Sequence, residues 1–371
     1  MSKNKRIVIN SLPLIVLSLI VIIIISAIKI PSITKLNTFK DLGYDQIAID
    51  QIYTKDLDDL FFKEKLYTET LNDALKLEDF DMKYIDLYKT FSTLTKDQTL
   101  LYDKLETKGY TSEIITTLFN SLKFYEITPL LVFDYQQDIQ PYLNDITLNK
   151  NNISPTSFIL NDTYTTPYEN TEMIDDPTSI DILVSKKYNL PDSYIPANLK
   201  TISVKYAAQD TQLAQIAYEP YMNMLNDMYD LGLKAYATNA YRSYDRQKEL
   251  FDHYVAKDGQ QEADTYCARP GFSEHQTGLV FDITAVELTT LGGFEDTEEY
   301  QWLTNNAANY GFIQSYTNDK TSITGYIPES WHWRYVGPEL AIKIKESNLT
   351  FNEYYELYLK DSNTDDNKED K

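Results

Sequence analysis

The chain has 371 residues, which at roughly 100–200 residues per domain is enough for two or three domains. Hydrophobic residues make up 43% and aromatic residues 13%, a composition typical of a globular rather than a disordered protein. The 56 acidic and 34 basic residues give a net charge of −22, which argues against nucleic-acid binding because that requires basic patches. A single cysteine, Cys267, excludes an intramolecular disulfide framework and a cysteine-based zinc site.

The N-terminus carries a basic flank followed by an apolar run. Lys3, Lys5 and Arg6 precede the uncharged segment Ile7–Ile28, whose length of roughly 33 Å as a helix would cross a bilayer core of about 30 Å. This pattern predicts an uncleaved transmembrane signal anchor within residues 1–30, with everything after Lys29 outside the cell. A cleaved signal peptide and a buried core helix are the alternatives. The length of the run and the lack of an Ala-x-Ala site disfavour the signal peptide.

Residues 31–145 show the spacing of amphipathic helices and are predicted to form an all-α region. They contain a weak two-copy repeat with a period of 66–68 residues, in which Phe39–Tyr44 resembles Leu105–Tyr110. Residues 35–145 hold no His, Arg or Cys. We therefore interpret this region as a spacer or binding arm rather than a chemical site.

Residues 146–178 are rich in Asn, Asp, Thr and Pro and are predicted to be a linker. Residues 179–346 mix short strand-like segments with segments that have the spacing of amphipathic helices, which favours an α+β domain with a small antiparallel sheet and flanking helices. The predicted strands and helices, in chain order, are Ile202–Tyr206 (strand), Leu213–Leu231 (helix), Lys234–Tyr241 (strand), Tyr244–Val255 (helix), Leu279–Thr284 (strand), Thr297–Tyr310 (helix), Gly311–Tyr316 (strand) and His332–Val336 (strand). Residues 347–371 are predicted to be a polar, acidic, disordered tail.

Residue types that are rare in this chain gather after residue 230. All three histidines, four of the five arginines and nine of the eleven glycines lie there. A compositional bias with chance clustering is one explanation. A compact catalytic domain whose turns and site require these residues is the other.

Two of the histidines have a spacing that suggests a metal site. A catalytic zinc takes three protein ligands and leaves a position for water. His275 and Asp282 could converge if the chain turns at Gly278, with His332 as a third ligand and Glu329 as a general base for the water. A His-x6-Asp spacing is weak evidence alone, and single histidines are more often packed or surface residues. On spacing alone, both interpretations stay open.

Arg242 and His253 receive different interpretations. Arg242 follows a predicted strand and precedes a predicted helix, and its guanidinium could hold a carboxylate or a developing oxyanion. A structural ion pair is the alternative. His253 lies in the middle of a polar helix and is interpreted as an ordinary helix residue, with Glu249 as a surface pairing partner.

Three segments together resemble a known family. Ser273–Asp282 resembles the Ser-x-His-x-x-Gly-x-Ala-x-Asp motif of the VanY-like D-alanyl-D-alanine carboxypeptidases. Glu329–Gly337 resembles their Glu-x-Trp-His-x-Arg-Tyr-Val-Gly segment, and Tyr241–Gln247 their Tyr-Arg-Ser-Tyr-x-x-Gln segment. The resemblance covers roughly 179–346, less than half of the chain.

The resemblance implies a function and a set of site residues. His275, Asp282 and His332 would bind one Zn²⁺ per chain and Glu329 would be the catalytic base. Arg242 would steady the substrate's carbonyl or carboxylate. Further substrate contacts would be Ser273, Gln247 and Trp331. The expected enzyme is a membrane-anchored zinc carboxypeptidase that removes the C-terminal D-alanine of peptidoglycan stem peptides outside a bacterial membrane.

Several alternatives to this function stay open. An L,D-carboxypeptidase or a crosslink endopeptidase of the same family would use the same residues, and a non-catalytic cell-wall-binding protein could keep the fold. The chain also departs from the family at Val280, where Ala is usual, and at Asn239-Ala240, where Ser-Gly is usual. Imidazole and carboxylate ligands would accept cobalt or nickel as well as zinc.

Overall fold

The structure, a computed structural model, describes residues 33–361. They belong to two compact units that divide between Thr99 and Leu100, rather than at the predicted boundary after residue 145. The predicted anchor at residues 1–30 and the end of the predicted tail, residues 362–371, lie outside the described residues. Over residues 33–361 no helix has both the length and the apolar character needed to cross a membrane.

The first unit is helical throughout its described part, as predicted. Helical backbone over 33–42 is followed by Gln46–Thr54, Asp58–Glu64, Glu69–Ala74, the 3₁₀ turn Met82–Tyr84 and Ile85–Tyr88. Its core is apolar and aromatic, with fully buried Phe39, Ile52, Phe61 and Leu71. Asp45 and Thr68 cap two of these helices by accepting a backbone N–H, so side chains satisfy amides that the helix leaves unpaired.

The sequence repeat corresponds to a repeated turn. In both copies a helix ends at a glycine in a positive-φ conformation, +113° at Gly43 and +108° at Gly109. The next residue's amide then bonds the carbonyl five residues back, at 3.0 Å for Tyr44 and 3.1 Å for Tyr110. This is the bonding of a Schellman motif, which favours glycine because a side chain opposes positive φ. The first copy lies in the first unit and the second in the second unit.

The second unit opens with helices and then a polar segment. It begins with residues 100–108 of helix Lys96–Lys108, followed by the helices Ser112–Ser121, Phe124–Ile127, Pro129–Val132 and Gln140–Leu148. The predicted linker 146–178 is packed, not free: it contains the hairpin Ile153–Ser154 with Ser157–Phe158, and a strand, Glu172–Met173, parallel to Tyr188–Asn189. Apolar side chains hold this segment against the rest of the unit, and Phe158 among them is fully buried. The Phe158 carbonyl also accepts a hydrogen bond from Ser322 Oγ at 2.6 Å.

A four-stranded antiparallel sheet forms the centre of the second unit. In chain order its strands are β1 (Ala235–Asn239), β2 (Val280–Ala285), β3 (Phe312–Gln314) and β4 (His332–Tyr335), and in space they run β1-β2-β4-β3. The helices around it are α1 (Gln215–Asp230), α2 (Tyr244–Asp258), α3 (Gln260–Tyr266), α4 (Glu298–Asn306) and α5 (Pro338–Ser347). The predicted small antiparallel sheet with flanking helices is confirmed, and each sheet strand lies within its predicted range or within one residue of it.

One predicted strand is misplaced. The chain pairs Leu199–Thr201 with Gln212–Ala214 as a separate two-stranded sheet, whereas the predicted strand Ile202–Tyr206 enters a turn. The Tyr206 amide bonds the Ser203 carbonyl at 2.8 Å, which closes that turn.

The core of the second unit lies between α1 and the sheet. All six residues of β2 are buried, and Phe281 packs edge-on against Tyr221 of α1 with ring centroids 4.8 Å apart. Tyr221 is also fully buried, and its hydroxyl donates to the Tyr206 carbonyl at 2.7 Å. β2 is therefore fixed against α1 on one face, and it also carries Asp282, a residue of the site described below.

The C-terminal segment is folded well beyond residue 347. Helix Phe351–Tyr354 continues into a π-helical turn, Tyr355–Leu359, and Leu357 is fully buried. Glu353 is also fully buried and accepts a bond from Thr128 Oγ1 at 2.7 Å. A tail beginning at 347 is therefore wrong for residues up to 359, because the aromatic and apolar residues of this segment pack against the preceding helices.

Gly311 offers a test of the packing at β3. Its φ is +90°, and an added Cβ would lie 2.7 Å from the Tyr335 ring and 2.9 Å from the Gly337 backbone. We expect Gly311→Ala to lower the free energy of unfolding by about 2–5 kcal/mol, from left-handed strain plus overpacking. Urea unfolding followed by tryptophan fluorescence measures this, since all three tryptophans lie in the second unit.

Gly232 supplies the matched control. Its φ is +86°, but an added Cβ would meet nothing within 4 Å. Gly232→Ala should therefore show the strain alone, about 1–2 kcal/mol. Equal losses in the two variants would contradict the proposed contact with Tyr335 and Gly337.

Candidate active site

Three polar side chains stand side by side across the sheet. The strand register pairs Asn239 of β1 with Asp282 of β2, and Asp282 with His332 of β4. Paired residues in an antiparallel sheet project from the same face. A β-bulge between Ala237 and Asn239 shifts the register, and such bulges re-aim side chains. The three residues are thereby gathered at one point.

His275 reaches the same point from a turn. It lies in the 3₁₀ turn Glu274–Thr277, which ends at Gly278 with φ +69° and leads directly into β2. An added Cβ at Gly278 would lie 3.0 Å from Pro196 Cγ, so glycine suits the position on two grounds. The Nδ1–H of His275 donates to the Ala240 carbonyl at 2.7 Å, which leaves Nε2 3.3 Å from Asp282 Oδ2. The turn predicted at Gly278 is confirmed.

The structure brings His275, Asp282 and His332 together. One potential ligand atom from each lies within 4.8 Å of the other two, and all three residues are buried. Asp282 Oδ1 is 3.2 Å from His332 Nδ1, yet it is a buried oxygen without a hydrogen-bond partner. Buried polar atoms are seldom left unpaired. Two imidazoles and a carboxylate with this orphaned oxygen, three side chains in all, fit a divalent metal ion of the zinc type.

The cluster's charges are strongly coupled. Burial acts to raise the pKa of Asp282, but the imidazoles of His275 and His332 outweigh it and hold this pKa well below the usual range of a carboxyl. Burial acts in the opposite sense on His332, and the carboxylates of Asp282 and Glu274 overcome it and raise its pKa to about 10. The site thus stabilises an ionised carboxylate at its centre.

Glu329 lies at the edge of the cluster, just before β4. Its Oε2 is 3.5 Å from His332 Nδ1, and its side chain is only 13% exposed. Its backbone is anchored, since its amide donates to the Tyr316 carbonyl at 2.9 Å and its carbonyl accepts from Gln314 Nε2 at 3.1 Å. Burial raises the pKa of Glu329 to about 7.

Arg242 borders the cluster from the loop between β1 and α2. Its Nη1 donates to Gln247 Oε1 at 2.8 Å, and its Nη2 is 3.8 Å from Asp282 Oδ2. Its amide donates to the His275 carbonyl at 3.1 Å. Gln247 is buried and its Nε2 donates to the Ala268 carbonyl at 2.6 Å, so Gln247 holds the guanidinium in place. Arg242 therefore has a structural contact and, with five N–H donors, spare donors for a substrate.

One cavity of about 670 Å³ contains all of the site residues that the sequence predicts. The eight that line it are Arg242, Gln247, Ser273, His275, Asp282, Glu329, Trp331 and His332. Ser273 is buried beside the 3₁₀ turn and Trp331 is half-buried next to His332. His253 is exposed on α2, and Glu249 pairs with Arg246 at 2.7 Å rather than with His253.

Two residues of the site were not predicted. Asn239, noted only as a departure from the family pattern, donates from Nδ2 to Asp282 Oδ2 at 3.1 Å. Glu274, adjacent to His275 in the motif, lies 2.9 Å from His332 Nε2. A prediction that β1 pairs with β2 would have identified Asn239 as a neighbour of Asp282. Nothing local points to Glu274, because its partner is 58 residues away. The other departure, Val280, is fully buried and pairs with Arg334 across β2 and β4.

Comparisons with known proteins agree with this arrangement. Residues 210–338 match the VanY family of D-alanyl-D-alanine carboxypeptidases. The chain is 38% identical over 197 residues to YodJ of Bacillus subtilis, which is named as a carboxypeptidase, and the match covers 51% of this chain and 71% of YodJ. It is 36% identical over 186 residues to a D-alanyl-D-alanine carboxypeptidase of Enterococcus faecalis, covering 47% and 64% of the two chains.

A solved structure is also similar. That of the LdcB LD-carboxypeptidase is 36% identical, covers 53% of this chain and 94% of its own, and gives a TM-score of 0.48. The assignment rests on the sequence matches, among which YodJ is covered over most of its length. These matches, together with the three motifs gathered in one cavity, show that the chain belongs to the VanY-like D-alanyl-D-alanine carboxypeptidase family of peptidases.

Proposed function

We propose that the protein is a zinc-dependent carboxypeptidase that hydrolyses the C-terminal D-alanine of peptidoglycan stem peptides. The observation that carries this proposal is the convergence of His275, Asp282 and His332, with the Glu329 carboxylate 3.5 Å from His332, inside one cavity. Membership of the VanY-like family supports the choice of substrate.

The ion would be held by Nε2 of His275, the carboxylate of Asp282 and Nδ1 of His332. Zinc bound by such a set lowers the pKa of water and polarises a carbonyl oxygen. Both imidazoles would have to be neutral to hold the ion, as histidine ligands must be. Asn239 and the Ala240 carbonyl orient Asp282 and His275.

Glu329 is placed to move the proton that hydrolysis requires. Its carboxylate accepts a proton from the attacking water and delivers it to the nitrogen of the departing D-alanine, so that an amine leaves. The hydrogen bonds of the Glu329 backbone keep its carboxylate beside His275, Asp282 and His332. Glu329 is not itself one of these three converging residues.

Arg242 is the arginine of the cavity that lies beside Asp282. A guanidinium can bind a carboxylate through two parallel hydrogen bonds, which suits the free C-terminus of a stem peptide, or stabilise an oxyanion. Gln247 fixes its orientation, so less conformational entropy is lost on binding. Ser273 and Trp331 line the same cavity and would contact the rest of the peptide.

Metal binding tests the first part of the proposal. We expect the parent to bind about one zinc per chain, and chelation to abolish hydrolysis until zinc is returned. Asp282→Asn removes the central charge of the ligand set. It should weaken zinc binding by more than the loss of about 10–100-fold that is typical when a residue hydrogen-bonded to a metal ligand is substituted. Metal analysis and competition with a chromogenic chelator provide the measurement.

His253→Ala is the control for that experiment, because His253 is exposed on α2 and outside the cavity. It should bind zinc as the parent does. Unchanged affinity in Asp282→Asn, or loss in His253→Ala, would show that the metal lies elsewhere.

Hydrolysis of defined stem peptides tests the reaction and its specificity. We expect release of D-alanine from a pentapeptide stem, and Glu329→Gln should lower kcat by about 10²–10⁴-fold while zinc stays bound, since only the proton acceptor is lost. Mass spectrometry of tripeptide, tetrapeptide and pentapeptide stems gives the products.

Cleavage of the tetrapeptide alone would replace the D,D assignment with an L,D-carboxypeptidase. Cleavage of crosslinked dimers alone would indicate an endopeptidase. Zinc binding without hydrolysis of any of these peptides would favour the non-catalytic wall-binding alternative, and full activity in Glu329→Gln would remove Glu329 from its role.

We also propose that the domain acts outside a bacterial cell membrane. The support is the basic flank and the apolar run Ile7–Ile28, which lie outside the described residues. In intact cells of a species without an outer membrane, added protease should degrade the part after Lys29. Complete protection under conditions that digest a known surface protein would refute this placement.

A further inference from the structure

The motifs contain two buried charged residues to which the proposed reaction gives no role. Glu274 lies between Ser273 and His275 and is 3% exposed. Arg334 lies two residues after His332 on β4 and is fully buried. Isolated buried charges are costly, so such groups are paired and hydrogen-bonded where they occur.

The two ring nitrogens of His332 face different partners. Nδ1 faces the cluster, 3.2 Å from Asp282 Oδ1. Nε2 lies 2.9 Å from Glu274 Oε2 on the opposite side of the ring. A carboxylate can only accept, so Nε2 carries a proton and Nδ1 is the nitrogen left for a metal ion.

His275 is oriented by a different kind of group. Its Nδ1–H donates to a neutral acceptor, the Ala240 carbonyl, at 2.7 Å. The two imidazoles therefore present opposite nitrogens, Nε2 from His275 and Nδ1 from His332. A carboxylate behind a ligating imidazole makes it a stronger donor to the metal than a carbonyl does.

Arg334 holds Glu274 in this position. Its Nη1 donates to Glu274 Oε1 at 3.2 Å, so the two carboxylate oxygens have separate partners. Its Nη2 donates to the carbonyls of Ile180 and Ile182 at 3.2 and 3.1 Å, and its Nε to the Tyr335 carbonyl at 3.1 Å. The guanidinium is thus fixed by backbone on two segments.

We propose that Glu274, held by Arg334, is a positioning residue that fixes the ring orientation and tautomer of His332, so that Nδ1 binds the metal ion. This inference rests on the proposed metal site. Arg334 does not line the cavity, and Glu274 lines it with its two carboxylate oxygens already facing His332 and Arg334, so both residues act through His332.

The test compares zinc affinity in Glu274→Gln and in the parent, using the full chain and competition with a chelator. Glutamine keeps the shape and one acceptor but removes the charge. We expect zinc to bind about 10–100-fold more weakly. The control is Glu353→Gln, which alters another fully buried carboxylate whose hydrogen bonds go to Thr128 and Thr350. It should keep the parent affinity even if it is less stable.

A double variant, Glu274→Met with Arg334→Met, removes both charges and leaves neither buried alone. It should show the same loss of zinc affinity as Glu274→Gln. In the zinc-loaded parent, NMR of ¹⁵N-labelled histidine should show the His332 proton on Nε2 as a slowly exchanging, downfield signal, which moves upfield in Glu274→Gln.

Parent-like zinc affinity in both Glu274 variants, or a His332 proton on Nδ1 in the loaded parent, would overturn this inference and leave the proposed metal site standing. Failure of the parent to bind zinc would overturn both. The NMR measurement on the parent does not depend on how any variant folds.

Discussion

The ionised carboxylate of Asp282, buried in one of the two central strands of the sheet, is the group around which the candidate site is arranged. An isolated carboxylate at such a place would be expelled or protonated, because burial penalises its charge. Here two imidazoles, the Asn239 amide and the Arg242 guanidinium surround it, each from a different element of the fold. Strand register, the turn at Gly278 and the bulge in β1 all contribute to placing those groups.

The same arrangement explains why rare residue types gather in one part of the chain. The histidines and an arginine that are rare elsewhere in the chain provide, with the Asn239 amide, the nitrogens that surround the Asp282 carboxylate. Glycine is needed where the chain reverses into β2, since Gly278 has a positive φ and a close neighbour in Pro196. The groups that surround Asp282 and the turn that leads into β2 therefore place the rare His, Arg and Gly residues in the same short segments.

Local patterns were enough to predict the sheet and the flanking helices, because strands and turns leave periodic and glycine signals. The residues that line the cavity were implied by the resemblance of three motifs to a known family, since their spacing alone left the metal site open. The packed state of 146–178 and of 351–359 could not be predicted in this way. It depends on distant partners, such as Ser322 for the Phe158 carbonyl and Thr128 for Glu353, which is 225 residues further on. The role of Glu274 was not predicted because its partner, His332, is also distant in the sequence. The motif resemblance identified the neighbours of Glu274 but not its contact with His332.

The bond between Thr128 and Glu353 bears on how this protein can be divided for study. A piece that starts at residue 179 would begin where the family resemblance begins, yet it would deprive the fully buried Glu353 carboxylate of its Thr128 donor. It would also remove helix Pro129–Val132, against which the C-terminal helical segment packs. The smallest autonomous piece should instead begin near Leu100, where the compact unit itself begins. The second copy of the helical repeat is, in this sense, structural support for the peptidase rather than a detachable appendage.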